Sequence, residues 1–81
     1  MPRYYFDHRD DDHFLPDDEG LEFDGIEAAR DEAARSLAER ARDVLPGALR
    51  RVLTVEVRDE TKEPLLEARL IFEVARLLRA Y

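Results

Sequence analysis

Six apolar residues, Ile26, Ala29, Ala33, Leu37, Ala41 and Val44, recur at steps of three and four, and directly afterwards the apolar period changes to two. The first pattern is one stripe along an amphipathic helix over about residues 25–45, and a stripe of that kind needs a surface to cover. Asp24-Gly25-Ile26-Glu27 supplies a start, with Asp24 as N-cap and Glu27 as its capping-box partner, and Pro46-Gly47 supplies a stop. Because the stripe is rich in Ala, the helix can approach a sheet closely. Asp31, Arg35, Glu39, Arg42 and Asp43 give the other face compensating charges suited to water. From Val52 onward, Leu53, Val55 and Val57 alternate with Thr54, Glu56 and Arg58, the pattern of a half-buried strand. A helix that must lie on something is thus followed by a sheet with one apolar face.

The remaining strands follow from shorter signals. Arg3 to His8 places Tyr4, Phe6 and His8 on one side and Tyr5 and Asp7 on the other. Arg9-Asp10-Asp11-Asp12 has turn chemistry, and His13-Phe14-Leu15 begins a return strand that Pro16 keeps short or at an edge. Asp17-Asp18-Glu19-Gly20 turns the chain again, after which Leu21 and Phe23 reach back to the core. Leu65 to Val74 fits both periods. A strand to about Val74 is favoured, because Leu70-Ile71-Phe72 lies at hairpin distance, across the turn from Asp59 to Pro64, from a clear strand. The expected architecture is α+β in the order β-β-α-β-β: a four-stranded antiparallel sheet from two hairpins, with one helix packed on one face. Residues 1–81 form one domain, divided into an acidic hairpin and loop (7–24), the helix (about 25–45), a second hairpin (about 51–74) and a helical or irregular tail (75–81). The face away from the helix carries Tyr5, Asp7, Thr54, Glu56, Glu67, Arg69, Ile71 and Glu73, which makes it a wet face or an interface of mixed charge.

So short a chain buries only about 60–65% of the surface exposed when unfolded, which gives it modest stability and a reason to associate. An apolar fraction of 44% places it among folded chains despite 41% charged residues. Cysteine is absent, which excludes disulfide staples and thiolate metal sites. No apolar run approaches the roughly 18 residues of a membrane span, and Met1-Pro2-Arg3 leads into no signal-peptide core, so a cytoplasmic protein without membrane association is expected. Residues 7–24 hold nine acids and one base and so carry the whole of the net −7. Such a field disfavours nucleic acid and suits a basic protein or a cation.

The opening MPRYYF, the charged RDDD turn, the stretch DDEGLEF, the passage GIEAARDEAARSLAERARDVLP and the strand VLTVEVRDE together resemble a family of short alphaproteobacterial proteins classed as a domain of unknown function. The likeness spans nearly the whole chain. It implies a compact domain and no established activity. Members of that family often carry Gly in both hairpin turns, where this chain has Asp11 and Glu60-Thr61-Lys62, so the resemblance leaves the turn types open. A fainter likeness, resting on Pro16, Gly20 and Glu27-Ala28-Ala29, is to HicB-type antitoxin domains.

His8 and His13 flank a four-residue turn, and a regular hairpin can bring them together with Asp11 and its neighbours as a transition-metal shell; two surface histidines beside a solvated turn are the plainer reading. The acidic run lacks the ligand order of an EF-hand. Asp10, Asp11, Asp12, Asp17, Asp18 and Glu19 are therefore candidates for docking a basic partner. Ser36 has no His near it in sequence, no glycine loop cradles phosphate, and a chain this small has little room for a pocket of about 300 Å³, so no enzyme, no catalytic residue and no cofactor are expected. Tyr4 and Tyr5 adjoin acids rather than the basic groove of a single-strand binder, and Arg50, Arg51, Arg69, Arg76 and Arg79 make at most a modest basic patch. Ile71, Leu77, Leu78 and Tyr81 remain as apolar residues that neither helix nor sheet requires. They point to a non-catalytic module that self-associates, as a homodimer, with a binder of a basic partner as the alternative and a metal-binding protein as a weaker one.

Overall fold

A computed structural model describes residues 1–78. Six elements follow in chain order: β1 (Arg3–Asp10), β2 (His13–Leu15), β3 (Leu21–Glu22), α1 (Ile26–Val44), β4 (Arg50–Arg58) and β5 (Pro64–Glu73). The sheet is antiparallel with the order β2-β1-β4-β5, and the two-residue β3 pairs with β1 beside β2. The α+β expectation of one helix on one face of an antiparallel sheet holds, with β3 as an added fifth strand.

The alternation along β4 is expressed directly. Leu53, Val55 and Val57 are its fully buried side chains, and they meet Tyr4 and Phe6 of β1 and Ala29, Ala33 and Leu37 of α1 in one core. Ala29 and Ala33 have no exposed surface, so the small side chains do bring the helix down onto the strands. Ile26, Ala41 and Val44 close the ends of the stripe, and Leu66, Ala68 and Leu70 extend the apolar floor into β5. That alternation resolves β5 as a strand over its ten residues. Val57 and Arg58 carry a register irregularity opposite the start of β5.

The helix start differs from the expectation. Gly25, not Asp24, is the N-cap, and no side chain caps it. Phe23 fixes the entry instead: its N–H donates to Pro2 O at 3.1 Å and its ring meets Phe6 edge-on at 6.0 Å. This core contact orients the approach to the helix, and the first turn closes with Ala29 N–H on Gly25 O. Leu21, expected in the core, is 48% exposed because β3 places it on the outer side of β1.

The radius of gyration, 15.0 Å, exceeds the ~12 Å of a compact chain of this length. Long β4 and β5 strands account for this, with residues 74–78 running on from the end of β5. Among the described residues no helix is long and apolar enough to cross a membrane.

Candidate functional site

The acidic segment is built into the fold more than it projects from it. Alternation turns Asp10 toward the helix side of β1, where Arg40 of α1 and Arg51 of β4 converge on it. Arg51 donates to Oδ1 at 2.6 Å and to Oδ2 at 3.0 Å, and Arg40 donates to Oδ2 at 2.8 Å. Asp10 is 6% exposed. The hydrogen bond from Arg51, joined by that from Arg40, outweighs desolvation and holds the carboxyl at about 2, below its ordinary 3.8. Asp10 therefore leaves the set of partner-facing acids: burial and two guanidinium groups occupy both its oxygens.

On the opposite face Asp7 is equally buried, with Arg58 donating to Oδ2 at 2.7 Å while its guanidinium lies 4.5 Å over the Tyr5 ring. Asp17 completes this anchor. Its N–H donates to Asp7 Oδ1 at 2.8 Å, its carbonyl accepts from Arg58 at 2.7 Å, and its carboxylate accepts the N–H groups of Phe6, Glu19 and Gly20 at 3.0–3.1 Å. Burial works to raise the Asp17 carboxyl, but these backbone donors outweigh it and leave it below its ordinary value. β2 and β3 cover the two ends of the outer edge of β1, and Asp17 bonds the edge N–H of Phe6 between them. Gly20 allows the close approach: its φ is +71°, and a Cβ there would sit 2.7 Å from Tyr4 O. Asp11, Asp12, Asp18 and Glu19 are the carboxylates of the docking candidates that stay exposed.

Side chains close both hairpins where the family resemblance leads one to look for Gly. Asp11 takes φ +54°, and it ties the first turn to β4 through its N–H to Val52 O at 2.8 Å and its Oδ1 accepting Val52 N–H at 3.0 Å. In the second turn Lys62 takes φ +69°, while Asp59 Oδ1 accepts from Thr61 N–H, the Thr61 hydroxyl and Glu63 N–H. The proposed metal set is not assembled. His13 pairs across from Asp10, whose oxygens are occupied; Asp11 is engaged with Val52 and Arg51; and His8 lies further along, opposite Leu15. Among the described residues no group of three or more His, Asp or Glu side chains gathers in a metal-holding arrangement.

His8 instead meets Ser36 of α1, with Nε2 to Oγ at 3.2 Å, a contact between residues 28 apart that sequence proximity could not reveal. Burial, then the charge of Arg40, lowers the His8 pKa against the opposing pull of Asp17 and Asp7. The pair lies in an open cleft of about 450 Å³, larger than the sequence led one to expect, with a floor of Phe6, Leu15, Pro16 and Leu21 and with Glu32 at its side. The contact links α1 to β1.

The other side of the sheet is finished differently. Among the described residues no strand pairs with the outer edge of β5. Leu65, Ile71, Val74, Leu77 and Leu78 are all exposed there or just beyond, Ile71 by 62% and Leu77 by 71%. Ile71, Leu77 and Leu78 are the interface candidates in view, and Tyr81 lies outside the described residues. Residues 74–78 are irregular rather than helical.

The family described as Domain of unknown function (DUF6894) matches residues 3–71. The chain belongs to that family. No curated protein and no solved structure matches it, and the likeness to HicB-type antitoxin domains is not shown. The DUF6894 match takes in both aspartate anchors, the helix and most of β5, and it ends at Ile71. Phe72 onward, including Leu77 and Leu78, lies beyond the matched region.

Proposed function

We propose that this DUF6894 domain is a non-catalytic, cytoplasmic interaction module that self-associates as a homodimer by joining the outer edge of β5 in one copy to that in another. A single observation carries the reading: among the described residues no strand covers the outer edge of ten-residue β5, which is flanked by exposed Leu65, Ile71, Val74 and Leu77. Bare edges of that length are templates for pairing, and native folds commonly blunt or cover them. The acidic excess argues against a nucleic-acid partner. Sedimentation across the micromolar range is expected to give a dimer that Ile71→Lys, or removal of residues 75–81, converts to monomer. Ile71→Lys should change monomer stability by no more than about 0.5 kcal/mol, since the side chain is already mostly in water. A monomer at every concentration, unchanged by the deletion, overturns the proposal.

A second reading, an antitoxin-like or regulatory binder of a basic protein, is supported by exposed Asp11, Asp12, Asp18 and Glu19 around the first hairpin and its following loop. It requires a basic partner whose capture is lost when Asp12, Asp18 and Glu19 are replaced by their amides. Capture that survives those replacements removes it.

A further inference from the structure

We infer that two copies meet antiparallel along β5 about a two-fold axis passing through Ile71, so that Arg69 of each copy faces Glu73 of the other. The inference rests on the self-association proposed above and specifies its geometry. An axis perpendicular to the sheet pairs edge strands antiparallel and keeps both helices on one side, so residues facing each other must share a face. On the face away from the helix, β5 presents Leu65, Glu67, Arg69, Ile71 and Glu73. Charge then selects the register, because like charges directly opposite one another are unfavourable and opposite charges favourable.

Axes through Glu67, Arg69 or Glu73 set a charge against itself. An axis through Leu70 sets Glu67 against Glu73, and one through Phe72 sets Ile71 against Glu73. Centred on Ala68, the pairing joins Glu67 to Arg69 and Leu65 to Ile71 but opposes Glu63 to Glu73 and leaves Val74 and Leu77 uncovered. Centred on Leu66, the pairing sets Leu65 against Glu67 and gives Ile71, Val74 and Leu77 no apolar partner. The axis through Ile71 places Ile71 on Ile71, Arg69 on Glu73 and Leu70 on Phe72 within β5, and, with the irregular residues 74–77 extending the strand on association, Ala68 on Val74 and Leu65 on Leu77. Thus the exposed apolar residues Leu65, Ile71, Val74 and Leu77 all receive apolar partners. Val74 remains in line for this, since its N–H still donates to Leu49 O at 2.8 Å on the inner side. The outcome is a continuous sheet of order β2-β1-β4-β5-β5-β4-β1-β2, whose outermost strands on both sides are the three-residue β2.

Charge reversal tests the register, because Glu67, Arg69 and Glu73 are exposed and the pairs they make within one chain, Arg69 with Glu67 and Glu73 with Arg50, are exposed as well, so their replacement leaves the core intact. Arg69→Glu is expected to weaken the dimer by about tenfold, since two symmetry-related pairs are lost and replaced by repulsion. Arg69→Glu combined with Glu73→Arg should restore it, and Arg69→Glu with Glu67→Arg should not. A wild-type dimer whose Arg69→Glu defect is rescued by Glu67→Arg, or by neither partner change, overturns this register while leaving self-association intact. A wild-type monomer overturns both. Independently, Ile71→Cys in this cysteine-free chain should cross-link to itself on mild oxidation, and failure to do so in a dimeric sample counts against the axis.

Discussion

The two edges of one sheet are finished in opposite ways. At the β1 edge two short strands, the Asp17 carboxylate and the Gly20 turn cover the backbone, and Asp7 and Asp10 hold the assembly to Arg58, Arg51 and Arg40. At the β5 edge ten residues have no strand partner among the described residues and lie beside exposed apolar side chains. What separates them is the use of charge. Carboxylates that look in the sequence like a solvated outcrop act at the first edge as hydrogen-bond acceptors for backbone and guanidinium donors. At the second edge the charges alternate with apolar residues and leave the strand available.

The sharpest way to break this contrast is to reopen the closed edge. Asp10→Ala leaves Arg40 and Arg51 without their shared acceptor and is expected to cost about 2–3 kcal/mol in denaturant unfolding, the lower end for a broken buried pair because both guanidinium groups keep some contact with water. A loss below about 0.5 kcal/mol would mean that the anchor is incidental. Gly20→Ala should cost about 2 kcal/mol, since it combines a left-handed backbone angle with a clash against Tyr4 O. Unchanged stability there would show that the loop does not hold its close approach to β1.

Acid should loosen the same edge in two stages. The His8 pKa is lowered in the folded state, so the unfolded chain binds its proton more readily, and stability should fall as pH drops below the ordinary 6.5. His8→Gln should flatten that upper stage, and a slope unchanged in the variant would assign it elsewhere. Asp10, at about 2 against 3.8 when unfolded, contributes stability that is present above pH 3.8 and lost as pH falls toward 2. That contribution is about 1–2 kcal/mol once solvent access of its arginine partners is allowed for. Replacing Asp10 should remove this lower stage from the acid-unfolding curve.

Several features were legible in the residues because they depend on local period. The apolar stripe of α1 and the alternation of β4 specify their buried faces wherever the rest of the chain lies. Pro16 confined β2 to three residues, and the choice of strand for residues after Pro64 followed from hairpin distance. Asp10 and Ser36 were not legible in the same way. A run of aspartates reads as turn and solvent until the return of a helix and a strand places Arg40 and Arg51 on one of them, and the His8 contact of Ser36 spans 28 residues. The cap at Gly25 was missed for a related reason, since Phe23 packing on Phe6 is a tertiary contact.

By itself the sequence determined the helix, four of the five strands, the apolar faces of α1 and β4 and the fold class, because side-chain period and turn chemistry act within a few residues. The tertiary structure alone decided the strand order. By placing β1 beside β4 it buried Asp7 and Asp10 among arginines and closed one edge. It also left β5 at the outside, since a strand's position in a sheet depends on contacts between distant segments that no local pattern encodes.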